Sequence, residues 1–286
     1  MSNLLNHLIV KVQDAILGLF RIRWIDTPLV HSLHALGALQ PAFEKYSSRK
    51  AFEVYRHARM KCPGYRKFLE INGVPALKSF SDFRLVPCTD KENYIKKFSV
   101  EERCIGGAIP RTGVVIDESS GSSGIPNNWV RGPAERRAVK RLIQHSYQLR
   151  YGKAALMVLN CFALGPWATG MNVSMALVDL AILKSIGPDK AKLDASLKLF
   201  GPRYRYVLAG YPPFFKDWLA STTLDLTALE LHLIVGGEGI SEGLRDFFLT
   251  HCKSVCSSYG ASDLEINIGA ETAFTIALRK LRLKSP

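Results

Sequence analysis

The sequence predicts an α/β protein, a helical N-terminal segment followed by a layered domain with a largely parallel sheet. Three observations carry this reading. From residue 112 onward, apolar runs of strand length alternate with amphipathic helical stretches. Before residue 105, apolar residues recur at helical spacing and are broken by Pro and Gly. Gly-bearing turns follow several of the apolar runs, as in parallel sheets whose ligands gather at the carboxyl ends of the strands. With 286 residues, 47% of them hydrophobic, and a mean hydropathy of +0.04, the chain can bury a sizeable core. The expected division is 1–105, helical and packed on the core, and 106–286, the α/β part.

In order along the chain, Leu5, Leu8, Ile9, Val12, Ile16, Leu19 and Phe20 form one face of a helix over 3–22, opposite His7, Lys11, Asp14 and Gly18. Lys11, Gln13 and Asp14 lie mid-segment, so this helix is amphipathic rather than membrane-spanning. Packing on the protein is the favoured role and membrane-surface contact the alternative. The start lacks the basic region and cleavage site of a signal peptide. Phe52, Tyr55 and Arg59 lead to a break at Pro63-Gly64, and a short helix through Phe68 and Leu69 ends at Gly73. Thr89 or Asp90 is positioned to cap a helix over 91–97. Val114-Val115-Ile116 is strand-like and feeds a Ser/Gly-rich loop, after which Pro133 opens a helix. Beyond it, 155–159, 204–208 and 231–235 read as strands, and 171–186, 212–219 and 241–252 as helices, the last capped by Ser241.

Lys plus Arg (38) exceeds Asp plus Glu (25), a net charge of +13 that favours anionic partners. No run of five like charges and no RNA-binding or helix-turn-helix signature occurs, so nucleic acid is not an expected partner. Six cysteines without a CxxC pair suggest neither a disulfide ladder nor a zinc site, and point to a reducing, cytoplasmic setting. His251, Cys252 and Cys256 lie close in sequence but lack a fourth ligand.

Chemistry concentrates in three turns. Ser119-Ser120-Gly121-Ser122-Ser123-Gly124 is rich in N–H and O–H donors, and its glycines carry no Cβ to bar a phosphate. It lacks the Gly-Lys-Ser/Thr ending of a Walker A loop. Gly236-Gly237-Glu238 and Ser258-Tyr259-Gly260-Ala261-Ser262-Asp263 follow later apolar runs. Together they would surround one nucleotide, with Tyr259 stacked on a base and Asp263 on a magnesium ion.

These segments resemble the motifs of adenylate-forming enzymes. Ser119 to Pro126 is similar to their phosphate-binding Ser-Gly-Thr-Thr-Gly-x-Pro pattern, Gly236-Gly237-Glu238 to their adenine-side loop, and Tyr259-Gly260-Ala261-Ser262-Asp263 to Tyr-Gly-x-Ser/Thr-Glu. The lead-in Cys62-Pro63-Gly64-Tyr65-Arg66, Ser81-Asp82-Phe83, Val86-Pro87 and Thr89-Asp90-Lys91-Glu92 resembles that of phenylacetate–CoA ligase-like proteins. The resemblance spans roughly residues 50–280.

It implies ATP-dependent activation of an aryl or fatty carboxylic acid to an acyl-adenylate, with transfer to CoA, a carrier protein or another thiol. Ser119, Ser120, Gly121, Ser122, Ser123 and Gly124 would cradle the β- and γ-phosphates, with Ser122 and Ser123 closest to catalysis. Gly237, Glu238, Ser258, Tyr259, Gly260 and Ser262 would line the nucleotide, and Asp263 would bind Mg2+. Serines stand at 122 and 123 in place of threonines, Asn127 where many members carry Lys, and Asp263 in place of Glu; Glu265 is a substitute carboxylate. Phe162 and Trp167, in the Gly-rich stretch 162–170, and Tyr211 would line the acyl pocket, or serve as plain core. The family's ribose-binding Asp, hinge and small C-terminal lid domain have no counterpart here, so the resemblance also implies a core incomplete at its C-terminus. A catalytically silent nucleotide- or partner-binding remnant and a peripheral membrane or capsule-assembly protein are the alternatives this leaves, and a second copy of the chain, as a homodimer, is a further candidate partner.

Overall fold

The computed structural model describes residues 40–119, 126–152 and 154–284. The expected helix over 3–22 and residues 120–125 of the Ser/Gly loop lie outside them. The chain divides into two compact units, Met1–Ala108 and Ile109–Pro286.

In the first unit, α1 (Gln40–Lys61) stops at Cys62 and Pro63 opens α2 (Pro63–Ile71). Proline fits a first helical turn because that N–H has no intrahelical partner. Past α2, Gly73 takes φ +62° and the Val74 N–H returns to the Leu69 carbonyl at 2.9 Å, closing the helix end. A 3₁₀ segment (Phe80–Leu85) and one helical turn (Lys91–Ile95) follow. Asp90 caps that turn, its side chain accepting from the Asn93 N–H at 2.7 Å. The unit's core is aromatic: Tyr55, Phe68 and Phe98 are buried, with Phe52, Tyr65, Phe83 and Tyr94 packed against the cluster. Edge-on ring pairs, such as Phe68–Tyr94 at 5.6 Å, add to the burial.

The second unit opens with an antiparallel hairpin, β1 (Val115–Ser119) and β2 (Asn127–Arg131). The sequence suggested that the Ser/Gly loop runs from a strand into a helix. A second strand intervenes instead, pairing Ser119 with Asn127. Asn127-Asn128-Trp129-Val130-Arg131 has only brief apolar alternation, too little to announce a strand without its partner. Then come α3 (Pro133–Tyr151), β3 (Leu156–Asn160), α4 (Ala168–Leu177), β4 (Ile182–Ser185), α5 (Lys190–Phe200), β5 (Arg205–Gly210), α6 (Pro212–Ser221), β6 (Glu230–Val235), α7 (Glu242–Leu249), β7 (Ser254–Ala261), β8 (Glu265–Ala270) and α8 (Ala273–Lys284). The predicted helix over 171–186 is thus two elements. Its second half is the short, half-exposed strand β4, whose apolar residues read as a continuation of the helical face. Ser241 caps α7, accepting from the Leu244 N–H at 3.2 Å.

The six strands are ordered β4-β3-β5-β6-β7-β8; the first five are mutually parallel and β8 is antiparallel to β7. Helices cover both faces, which is why β3 and β5 are nearly continuous apolar runs. On one face Leu193, Leu197, Phe215, Trp218 and Phe248 pack against Met157, Leu159, Tyr206, Leu208 and Leu233. On the other, Val139, Ile143, Tyr147, Val173 and Leu177 pack against Leu156, Val158, Val207, Ala209 and Ile234. Beyond β7 a charged web secures the last elements. The Glu271 carboxylate accepts from the Ser257 N–H, Arg245 and Arg279, each at 2.6 Å, and Arg279 also reaches Glu242 at 2.7 Å. Among the described residues no helix is long and apolar enough to cross a membrane, and Cys62, Cys88, Cys104, Cys161, Cys252 and Cys256 are all free thiols.

Candidate functional site

A cleft of about 530 Å³ opens in the second unit where the strands of the sheet end. Its walls are the segments that leave the carboxyl ends of neighbouring parallel strands: Phe162 and Ala163 after β3, Tyr211 after β5, Gly236, Gly237 and Glu238 after β6, and the far half of β7. Each strand there must hand its chain to a crossover connection, so backbone and side chains stand free around a common hollow. Ile143 and Tyr147 of α3, Val173 of α4, and Glu118 and Ser119 at the end of β1 complete its lining.

The loop after β3 is held by Asn160, which is fully buried. Its Nδ2 donates to the Gly170 carbonyl and to Ser174 Oγ, both at 2.8 Å, and its Oδ1 accepts from the Phe162 N–H at 3.2 Å. Residues 161–170 therefore double back onto α4 and present Phe162 and Trp167 to the cleft. Phe162 meets Tyr211 edge-on, with centroids 5.0 Å apart at 89°. Burial, and secondarily the nearby Glu238 carboxylate, raise the Tyr211 phenol above its ordinary value, so it stays a neutral donor.

The β6 turn is shaped by glycine. Gly237 has φ +82°, and a Cβ on it would stand 2.5 Å from Tyr211 Cε1. Only a residue without a side chain lets this backbone lie against the tyrosine ring.

The third segment is a strand rather than a free loop. β7 runs through Ala261, pairs with β8, and slips register between Tyr259 and Ala261, leaving Gly260 at the irregularity. Ser258 Oγ donates to Asn267 Oδ1 at 2.5 Å, and Asn267, with φ +63°, also lines the cleft. The turn itself is confined to the residues between Ala261 and Glu265.

The hairpin is anchored by a buried ion pair. Arg131 Nε donates to Asp117 Oδ2 at 2.6 Å, the two residues being 3% and 1% exposed. The Glu118 N–H reaches the Pro166 carbonyl at 2.8 Å, so β1 runs beside the loop that carries Trp167. Ser119 Oγ accepts from Trp129 Nε1 at 3.3 Å.

Of the residues the motifs single out, Ser119, Gly237, Glu238, Ser258, Gly260 and Ser262 line this one cleft, together with Phe162, Trp167 and Tyr211. Tyr259, 68% exposed, and Asp263, also exposed, do not. Ser120, Gly121, Ser122, Ser123 and Gly124 lie outside the described residues. Leu164, Gly165, Pro166, Gly170, Pro212 and Phe214 shape neighbouring backbone without lining the hollow. Sequence reasoning missed Glu118, Asn160, Arg131 and Asn267; only their closeness to motif residues marked them. Among the described lining residues the formal charges are Glu118 and Glu238, with no Lys, Arg or His. Among the described residues no group of three His, Cys, Asp or Glu side chains gathers for a metal.

No protein-family model matches the chain, and no curated protein matches it. Three solved structures of 2-hydroxyisobutyryl-CoA ligase share its fold. The thioesterification-state complex with 2-HIB-AMP and CoA superposes with a TM-score of 0.68 at 18% identity, covering 81% of this chain and 52% of that one. An open conformation with the same ligands gives 0.65 at 18%, covering 80% and 56%. The postadenylation complex with 2-HIB-AMP gives 0.64 at 19%, covering 77% and 49%. The α/β architecture with its mostly parallel six-strand sheet is therefore a fold shared with these ligases. This chain spans about half the length of these ligases.

Proposed function

We propose that the cleft binds ATP and a carboxylic acid and joins them as an acyl-adenylate, and that the protein is a ligase resembling the phenylacetate–CoA ligase group. One observation carries this reading. Residues from three sequence-distant motifs, Ser119, then Gly237 and Glu238, then Ser258, Gly260, Ala261 and Ser262, line a single hollow at the carboxyl ends of the sheet.

In this reading the Ser/Gly loop, whose base Ser119–Asn127 closes, holds the β- and γ-phosphates through N–H and O–H donors, Ser122 and Ser123 among them. Gly237 and Glu238, with Ser258, Gly260 and Ser262, accommodate the nucleoside. The apolar floor of Ile143, Val173, Phe162 and Trp167, with Tyr211, receives the acyl group and excludes water from the mixed anhydride. The reaction needs little acid–base chemistry; positioning the carboxylate in line with the α-phosphate does most of the work. Among the described lining residues the charged ones are Glu118 and Glu238, and Mg2+ belongs to this reading as the counterion of the phosphates. That ion is commonly bound by one or two carboxylates plus phosphates; Glu118 and Glu238 stand on the lining, and Asp263, the carboxylate of the motif, lies just beyond the lining residue Ser262. When bound, Mg2+ neutralises charge on the phosphates. Transfer to CoA or a carrier thiol belongs to the same proposal, as does the choice of an aryl or fatty acid.

Calorimetry with ATP and Mg2+, followed by pyrophosphate release across a panel of carboxylic acids, tests it. Saturable binding and acid-dependent release are expected; a folded protein without affinity for ATP refutes the proposal. Binding without release would point to the nucleotide-binding remnant. Gly121→Val, which fills the space the phosphate would occupy, is expected to abolish that binding, and unchanged affinity would remove the loop from the site.

A further inference from the structure

We infer that Arg131 is a positioning residue that fastens the Ser/Gly-loop hairpin to the turn after β7, so that two walls of the cleft are held in register. Its guanidinium is almost wholly buried and uses three nitrogens on three partners. Nε donates to Asp117 Oδ2 at 2.6 Å, Nη1 to Glu135 Oε1 at 2.6 Å, and Nη2 to the Ser262 carbonyl at 2.5 Å. Asp117 Oδ2 also accepts from Asn172 Nδ2 at 3.1 Å, and that same Nδ2 donates to the Ala168 carbonyl at 2.7 Å.

One connected set of bonds thus joins β1, β2, the start of α3, the start of α4 and the turn beyond β7. Ser119, Ala168 and Ser262, which neighbour or belong to these attachment points, all line the cleft. A planar fork with fixed donor directions can make such a junction; a lysine, with its donors at one point, cannot span the same partners. The carbonyl it grips sits next to Asp263, the residue assigned to Mg2+. Arg131 is not itself among the residues that line the cleft, so it acts through the segments it holds.

The consequence for nucleotide affinity rests on the function proposed above; the fastening itself does not. Native-state hydrogen exchange on Arg131→Lys reads the fastening directly. Exchange of the backbone amides at 259–264 is expected to rise about tenfold or more while those of β3 and β5 stay protected. Unchanged exchange at 259–264, or an equal rise throughout the unit, would overturn the inference. Glu135→Gln, which alters only the partly exposed arm, is expected to leave 259–264 protected.

If Arg131→Lys does not fold, Asn172→Ala serves. It frees the bridge to Ala168 but leaves Arg131 whole, so exchange should rise at 168–170 and not at 259–264, and a rise at 259–264 would overturn the inference. In calorimetry, Arg131→Lys should weaken ATP binding about tenfold and Glu135→Gln less than twofold. Equal affinities of Arg131→Lys and the unaltered protein would overturn the positioning role. An unaltered protein that binds no ATP would refute the function above, and the exchange result would still decide the fastening.

Discussion

Replacing Gly237 with alanine tests the β6 turn at the point of least tolerance. The residue has φ +82°, and an added Cβ would lie 2.5 Å from Tyr211 Cε1 and 2.8 Å from Cδ1. Carbon atoms settle near 3.5–4.0 Å, so the shortfall is about 1 Å. The ring cannot simply retreat, because it stands perpendicular on Phe162, which is buried. The left-handed backbone costs a Cβ-bearing residue about 1–2 kcal/mol. Overpacking adds about 1–3 kcal/mol. Alanine's smaller unfolded-state entropy returns about 0.4–1 kcal/mol. A net loss of roughly 1–4.6 kcal/mol would lower the melting temperature of a domain this size by roughly 2–18 °C. Thermal denaturation followed by circular dichroism measures it, and Tyr211→Ala supplies the control. On that background the clash is gone and only the backbone part should remain. A change within one degree, or the same drop with and without Tyr211, would refute the argument.

Three further outcomes are expected. Gly170→Ala would place a Cβ 2.0 Å from the Ala163 carbonyl oxygen. It should cost at least the 1–3 kcal/mol typical of overpacking, despite alanine's roughly 1 kcal/mol advantage in helices, as read from urea denaturation. Burial alone would raise the Glu242 carboxyl, but Arg279 and Arg245 outweigh it and hold it below the ordinary range. Its stabilising share is therefore present above the unfolded value of about 4.3 and lost as pH falls through the lower folded value. Urea midpoints measured from pH 7 down to pH 3 should fall at the acid end, and less steeply in Glu242→Gln; identical slopes would refute this. Burial pushes the Cys252 thiol up to about 12 and raises that of Cys161, whereas Cys88 is exposed. Iodoacetamide under native conditions at pH 8 should label Cys88 and spare the other two, because the thiolate is the reacting form.

Much of the layered architecture was legible because parallel strands buried on both faces leave unbroken apolar runs. Residues 155–159, 204–208 and 231–235 announced β3, β5 and β6 in this way. The missed strands are those whose stability comes from a partner rather than from their own pattern. β2 exists by pairing with β1, β4 is a half-exposed edge, and β8, with the far half of β7 that pairs with it, lies beyond the apolar run that marked the start of β7. The glycines of the site were legible for a similar reason: Gly237 needs its backbone conformation whatever surrounds it. Asn160 and Arg131 were not, because their worth lies in carbonyls and carboxylates brought to them by distant segments. A lone Asn or Arg in a sequence carries no sign of such partners. Tyr259 and Asp263 show the converse, since a motif suggested roles for both while the fold leaves both outside the cleft lining.

The central claim is that the three motif segments serve one nucleotide. A crystal structure of the protein with ATP and Mg2+ tests it most directly. The account predicts the triphosphate beside residues 119–126 and the adenine between Gly236–Glu238 and Ser258–Ser262. Nucleotide bound elsewhere, or a clear cleft at saturating ATP, would contradict it.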